Sequence, residues 1–382
     1  MNKEEKMMRA FEIKANQYYF YNKLLPDGFD ESKLNNGSVA FFKQFGFRVP
    51  SYFSEVYEMY NGIKSEKYVS TGLYNFTIIP YLINLNLRET YDDKNLYHLF
   101  FPDVKQPKTI VKNMNGRFYK PDPIQIVGEE LSLEQTVNVI KELGRFVCKP
   151  SMQGGGGKNV QSFNSSVMSK EEIKNMLTSY SQDFLIQGIL TNHPLLAELN
   201  DSSLNTCRIV TYRDVESNNY VLLGSYVRFG AHGSFMDNAT SGGGFCKIFN
   251  DGLVDDRIRV LKCFEPRSLK KEKGLSEFYM PHYDEMVRTA KKLHARLAYC
   301  DIIGWDFTVT DDDKIVLVEY NSRPDIEGFQ IVNGPLFGNY TESIIKRVSN
   351  PIVKPVVAVK RSFQGMSKIN EHIFDLGEAD KL

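Results

Sequence analysis

Two carboxylates and one amide in the last quarter of the chain have the types and spacing to hold a hard metal ion. Asp306, Glu319 and Asn321 sit in two apolar, β-branched runs that flank a polar stretch at 310–314, the pattern of a β-hairpin. A tight turn centred on Asp312 and Asp313 would set Thr310 opposite Ile315 and, stepping outward, Asp306 opposite Glu319. Alternation then puts Asp306, Glu319 and Asn321 on one face. Carboxylates facing each other at roughly 4.5–5.5 Å between Cβ atoms repel, so a cation is expected between them. Three oxygen donors without thiolate or imidazole suit Mg2+ or Mn2+. A register one residue out would break the pairing. The bland alternative is a solvated edge hairpin.

A second group of residues suits a polyphosphate. Lys149 ends a strand read over 145–150, and Gly154, Gly155, Gly156, Gly157 and Lys158 follow. Four glycines forfeit backbone entropy, and their N–H groups can cradle an anion. Met152 and Asn159 stand where a Walker A loop needs Gly and Ser or Thr, and the following residues alternate like a strand rather than opening a helix, which also excludes a Rossmann fingerprint. A strand, glycine flap, strand arrangement is left, with a flexible surface hairpin as its alternative. Gln187, Gly188, Ile189 and Leu190 close a buried strand that emerges towards His193. Such a strand end could line a base and ribose, although His193 reads equally as a loop residue. Arg208, inside the apolar strand 207–213, needs an anion, which a structural carboxylate would supply as well as a phosphate.

The elements that must position these groups are legible in outline. Helices are expected at 132–143, 169–180, 283–298 and 341–348, and strands at 145–150, 183–190, 207–213, 220–229 and 245–249. Asn115-Gly116 and Asp251-Gly252 mark hairpin turns. Residues 255–281, charged and without clear period, read as a surface excursion. The aromatic clusters of the first hundred residues read as helices packing on a lobe, broken at Pro26, Pro50 and Pro80.

Bulk properties remove several function classes. The 382 residues exceed one typical core. Hydrophobic residues make up 42% and charged residues 25%, as in an ordinary globular protein. Basic and acidic residues balance at 47 each, so neither nucleic acid nor an anionic membrane is expected as partner. The mixed-charge N-terminus leads into no apolar segment, and no run is long enough to insert in a membrane. Five cysteines without paired spacing suit free thiols in a cytoplasmic protein.

In order, Lys149, Gly154 to Lys158, Arg208 with its Ile-Val-Thr neighbours, Gly304-Trp305-Asp306 and Glu319-Tyr320-Asn321 resemble the motifs of the ATP-grasp superfamily. They look most like those of the sugar-transfer-associated ATP-grasp proteins. The resemblance covers about 140–350 well and 104–139 weakly. It implies an α+β class, an ATP-grasp fold of two α+β lobes clamping a nucleotide, with an aromatic-rich, largely helical N-terminal region. The implied divisions are an N-terminal lobe at 1–110, an ATP-grasp domain at 111–350 with a flap-bearing part about 140–190 and a metal-binding part about 191–350, and a tail at 351–382. By motif, Lys149 contacts the α/β-phosphates of ATP, Gly154 to Lys158 close over them, Gln187 to Leu190 hold adenine with His193 nearby, and Asp306, Glu319 and Asn321 hold Mg2+, Mn2+ being possible. Arg208 would meet the γ-phosphate or acylphosphate, and Arg323 the substrate charge. A second phosphate lysine has Lys108 and Lys120 as candidates. The implied activity is an ADP-forming carboxylate–amine ligase joining an amino acid or similar acid to a sugar-linked acceptor in surface-polysaccharide biosynthesis. A kinase acting on a hydroxyl and a non-catalytic partner of a glycosyltransferase are the alternatives. The oligomeric state is left open.

Overall fold

The computed structural model of the protein describes residues 3–34, 40–50, 52–152, 159–231, 233 and 243–349. Within them the chain builds two sheets, in both of which every pairing is antiparallel. Its class is α+β with a helical N-terminal region, as expected.

The smaller sheet comprises β1 (Thr109–Met114), β2 (Arg117–Tyr119), β3 (Glu130–Leu131), β4 (Arg145–Pro150), β5 (Gln161–Asn164) and β6 (Phe184–Gly188), in the order β3-β2-β1-β6-β4-β5. Asn115 and Gly116, at φ 52° and 81°, make the β1–β2 turn, which needs two residues in the left-handed region. Helices Leu133–Lys141 and Lys170–Tyr180 open on reciprocal capping boxes, Ser132 with Gln135 and Ser169 with Glu172. Their apolar stripes, including Val137, Ile140, Ile173 and Leu177, meet Phe146, Cys148 and Ile186 in a small core.

The larger sheet holds β7 (Thr206–Asp214), β8 (Asn219–Phe229), β9 (Gly244–Ile248), β10 (Arg257–Val260), β11 (Cys263–Ser268), β12 (Ile302–Val309) and β13 (Ile315–Asn321), in the order β11-β10-β9-β8-β7-β12-β13. The stretch 255–281, expected as a surface excursion, instead supplies β10, β11 and the helix Leu269–Lys273. Charge concealed the alternation there. Ile258 is buried, and Arg259 is buried too because it donates to the Tyr60 carbonyl at 3.1 Å and pairs with Asp255 at 3.4 Å.

All eight residues of β12 are buried. A polar chain pins that strand. Trp305 Nε1 donates to Thr211 Oγ1 at 2.8 Å, Thr211 lies 2.8 Å from His294 Nδ1, and His294 Nε2 lies 2.9 Å from the Cys300 carbonyl. A carbonyl only accepts, so Nε2 carries the proton and Nδ1 accepts from the threonine. Burial pushes His294 down to about 4, which keeps the ring neutral.

The aromatic clusters of the first hundred residues are core. Phe20, Phe53 and Tyr57 join Ile209, Trp305 and Phe307 in one large apolar cluster. Two segments of this region, Phe20–Leu24 and Leu73–Ile78, are wound as π-helix. Cys148, Cys207, Cys246 and Cys300 are buried free thiols and Cys263 an exposed one. No helix of the described residues is long and apolar enough to cross a membrane.

Candidate functional site

On the small sheet, alternation separates a core face from a face that opens on a cavity of about 410 Å3. Phe146 and Cys148 point to the core, so Lys149 points away from it. Lys112 of β1 and Lys149 of β4 both register against Leu185 of β6. The three residues therefore form one row, and the two lysines stand roughly 9–10 Å apart, two inter-strand spacings. Thr109, Gln187 and Val147 form the next row on that face. The cavity is lined by Lys94, Lys112 and Lys149, with Thr109, Gln187 and a single carboxylate, Asp122, among its other walls.

Burial dominates the electrostatics here. It pushes Lys149 down to about 8, against the pull of Glu319. It pushes Lys112 down to about 8 as well, against Asp93 and Asp122. Lys112 Nζ donates to the carbonyls of Asn95 and Ile126 at 2.9 and 2.7 Å. Both amines lie where a bound polyanion would favour their charged form and raise these values.

On the large sheet, Tyr226, Arg208, Asp306 and Glu319 register side by side across β8, β7, β12 and β13. The expected opposition of Asp306 and Glu319 is present. Thr310 does not face Ile315, however: Val309 does. A bulge between Asp306 and Phe307 absorbs the one-residue slip. Side-chain cations lie beside these carboxylates. Arg208 grips Asp306 with a two-pronged fork, Nε on Oδ1 and Nη2 on Oδ2, the latter at 2.8 Å. Arg228 reaches Asp306 Oδ2 at 3.1 Å, and Lys94 pairs with Glu319 at 3.1 Å. Burial works to raise the Asp306 carboxyl, but Arg208 and Arg228 outweigh it and hold it below its usual range. Asn321 Nδ2 lies 3.4 Å from Asp306 Oδ2. Gly304 permits this crowding: a Cβ there would come within 2.9 Å of Pro324 Cβ and 3.3 Å of Arg208 Cδ.

The structure thus gathers Lys149 and Gln187 at the cavity, and Arg208, Asp306, Glu319 and Asn321 in or beside the charged row. Lys94, which lines the cavity and pairs with Glu319, joins the two. Gly188 donates to the Lys108 carbonyl at 2.9 Å. Ile189 and Leu190 continue beyond β6 as half-buried coil. His193 is not among the cavity's lining residues. It caps the helix Pro194–Leu199, Nδ1 accepting from the Leu195 N–H at 3.2 Å, while Nε2 lies 3.5 Å from Asp313. Gly154 to Gly157 and Lys158 lie outside the described residues. Lys108 is exposed, and Lys120 pairs with Glu129 on the surface at 2.6 Å.

Sequence reasoning missed Lys112 and Lys94. Lys112 had a signal, since Ile110-Val111-Lys112 carries a β-branched pair into a lysine. Lys94 had none, because its role comes from a contact 225 positions away, with Glu319.

Comparison with known proteins follows the same lines. A family model described as sugar-transfer associated ATP-grasp matches residues 84–346, and the chain belongs to that family. No curated protein matches. Among solved structures, the ADP complex of purK, an N5-carboxyaminoimidazole ribonucleotide synthetase, is 11% identical at a TM-score of 0.37, over 61% of this chain and 45% of that one. D-alanyl-alanine synthetase A from Vibrio cholerae O1 biovar eltor is 13% identical at 0.38, over 68% and 64%. The ATP-grasp ligase PsnB with minimal precursor, Mg and ADP is 12% identical at 0.36, over 72% and 62%. The chain thus spans less than two thirds of each of these proteins.

Proposed function

We propose that this member of the sugar-transfer associated ATP-grasp family is an ADP-forming carboxylate–amine ligase. One observation carries the reading: the paired buried lysines Lys112 and Lys149 face a cavity that Lys94 connects to the row Arg208–Asp306–Glu319. Phosphoryl transfer requires little of a protein beyond positioning and charge neutralisation, which such a constellation supplies.

In this reading Lys149 and Lys112 take the nucleotide's phosphates, Lys112 filling the place for which Lys108 and Lys120 were candidates. Gln187 to Leu190 line adenine, the backbone of Ile189 and Leu190 being unused by the described residues. Gly154 to Lys158 close over the phosphates. Register brings Asp306, Glu319 and Asn321 together, and as oxygen donors they would hold Mg2+ in place of the Arg228 and Lys94 contacts. Bound there, the ion would neutralise charge on the transferring phosphoryl group. Arg208 holds Asp306 in place and offers its remaining N–H groups to the γ-phosphate or the acylphosphate, and Arg323 takes the substrate's charge.

The substrate carboxylate attacks the γ-phosphorus, ADP leaves, and an amine displaces phosphate from the acylphosphate. We assign residues 111–350, joined by Lys94 from the preceding segment, to the catalytic unit, an acid and an amine or sugar-linked acceptor as substrates, surface-polysaccharide synthesis as the setting and the cytoplasm as the compartment. Coupled ADP detection over a pool of carboxylates and amines, followed by mass spectrometry, tests the reading. ADP released only when both partners are present is the expected result. ADP released with a lone polyol, leaving a stable phosphoester, would replace the ligase by a kinase.

A further inference from the structure

Beyond β13 the chain turns along a second polar cluster, one wall of which is the helix Leu85–Asp92. Arg323 is only partly buried and has no hydrogen bond or ion pair with any described residue. Beside it, Arg88 of the helix Leu85–Asp92 donates from Nε to Asp92 at 2.9 Å and to Ser322 Oγ at 3.2 Å. Both Nη groups of Arg88 are without a partner among the described residues. Ser322 Oγ in turn donates to Asp92 at 2.9 Å, which fixes this helix to the 322–324 turn.

The opposite wall is phenolic. Tyr74 donates to the Pro324 carbonyl at 3.0 Å, and Thr71 hydrogen-bonds the Glu327 carboxyl. Tyr19, at the end of the first helix, lies within electrostatic reach of Glu327 and Arg323. Tyr74 lies within one π-helical segment and Tyr19 directly precedes the other. Such irregular turns re-aim side chains and recur at functional sites.

Asp92 answers Arg88, and no carboxylate of the described residues pairs with Arg323. Burial and Asp325 push Glu327 well up, towards its neutral form. Asp325 is engaged as the cap of the helix Ile326–Asn333, accepting from Gly328 N at 3.1 Å. Two guanidinium groups, Arg323 with its donors open and Arg88 with both Nη groups open, make an oxyanion site. The 323–324 turn packs against Gly304, on the face that carries Arg208 and Asp306.

We infer that the N-terminal helices complete the substrate pocket: an oxyanion, either a carboxylate or a phosphate, bridges Arg323 and Arg88 against Tyr74 and Tyr19. Arg88 and the two tyrosines are thereby specificity-determining residues. That this anion belongs to a substrate rests on the ligase reading; that the pocket binds an anion does not.

Calorimetric titration of the full chain with succinate and with inorganic phosphate, with and without saturating MgADP, separates the two claims. Wild type should bind at least one anion, Arg88→Gln should weaken it at least tenfold, and the affinity for MgADP should not change. Preference for succinate assigns the pocket to the acid, and preference for phosphate to a phosphorylated acceptor. Phenylglyoxal labelling of the wild-type chain, mapped by mass spectrometry, should modify Arg323 and be slowed by the bound anion. Equal anion binding by Arg88→Gln, or Arg323 labelling that the anion does not slow, overturns the pocket. Anion binding without MgADP binding overturns the ligase reading alone.

Discussion

On the small sheet Lys112 and Lys149 flank Leu185 with no carboxylate of the described residues in ion-pair contact, whereas on the large sheet Arg208 and Arg228 both hold Asp306. The lysines carry an uncompensated desolvation cost that a polyphosphate would remove. The arginines have a partner already, so their row sets geometry before any ligand arrives. Lysine suits the first task because burial can shift its pKa, and arginine the second because its planar fork matches a carboxylate and stays charged. One sheet is therefore poised to gain stability from a ligand, and the other to orient it.

Removing a partner from each side is the sharpest way to break this contrast. Asp306→Ala removes the carboxylate that the buried Arg208 grips and should cost about 3–5 kcal/mol, read by urea unfolding at pH 7. A loss below about 1 kcal/mol would mean that the row is no buried ion pair. Lys149→Met should do the opposite and raise stability, while weakening MgADP binding at least tenfold. The folded Lys149 titrates at about 8 against an ordinary 10.5, so between those values the unfolded chain binds the extra proton. Its penalty is full below pH 8 and fades as pH climbs from about 8 to 10.5. The shift corresponds to about 3 kcal/mol at most. A wild-type stability curve that falls over that window, with the variant's, would contradict the assignment.

A smaller effect separates the lysines on β1 and its neighbour. Lys112→Met should weaken MgADP in calorimetry about tenfold. Lys120→Ala, which removes only an exposed ion pair with Glu129, should leave nucleotide affinity unchanged and move stability by less than about 0.5 kcal/mol. If Lys120→Ala were the one to weaken the nucleotide, the row through Leu185 would not be the phosphate site.

The same contrast shows what could be read without coordinates. The opposition of Asp306 and Glu319 was legible because period-two alternation and a polar turn define a hairpin. The turn itself was one residue out, and only the bulge beyond Asp306 brings the site half of the hairpin back into the expected register. Bulges leave little trace in composition, so that compensation was invisible. Arg208 was legible as a buried cation needing an anion, and its partner came from a strand nearly a hundred residues later. In 255–281, charged side chains such as Arg259 sit at inward positions and satisfy themselves locally, which erases the pattern that betrays a strand. His193 reads alike as ligand or cap until the Leu195 N–H is seen to claim its ring.

The neighbour of Asp306 has a practical consequence. Trp305 is the chain's only tryptophan, fully buried against Phe101 and Tyr320, its indole hydrogen fixed on Thr211. The protein therefore carries a single tryptophan fluorophore, shielded from solvent and one residue from the central carboxylate of the charged row. Its emission should be blue-shifted at rest, and any change when nucleotide is added would record rearrangement of β12 in real time, without a label.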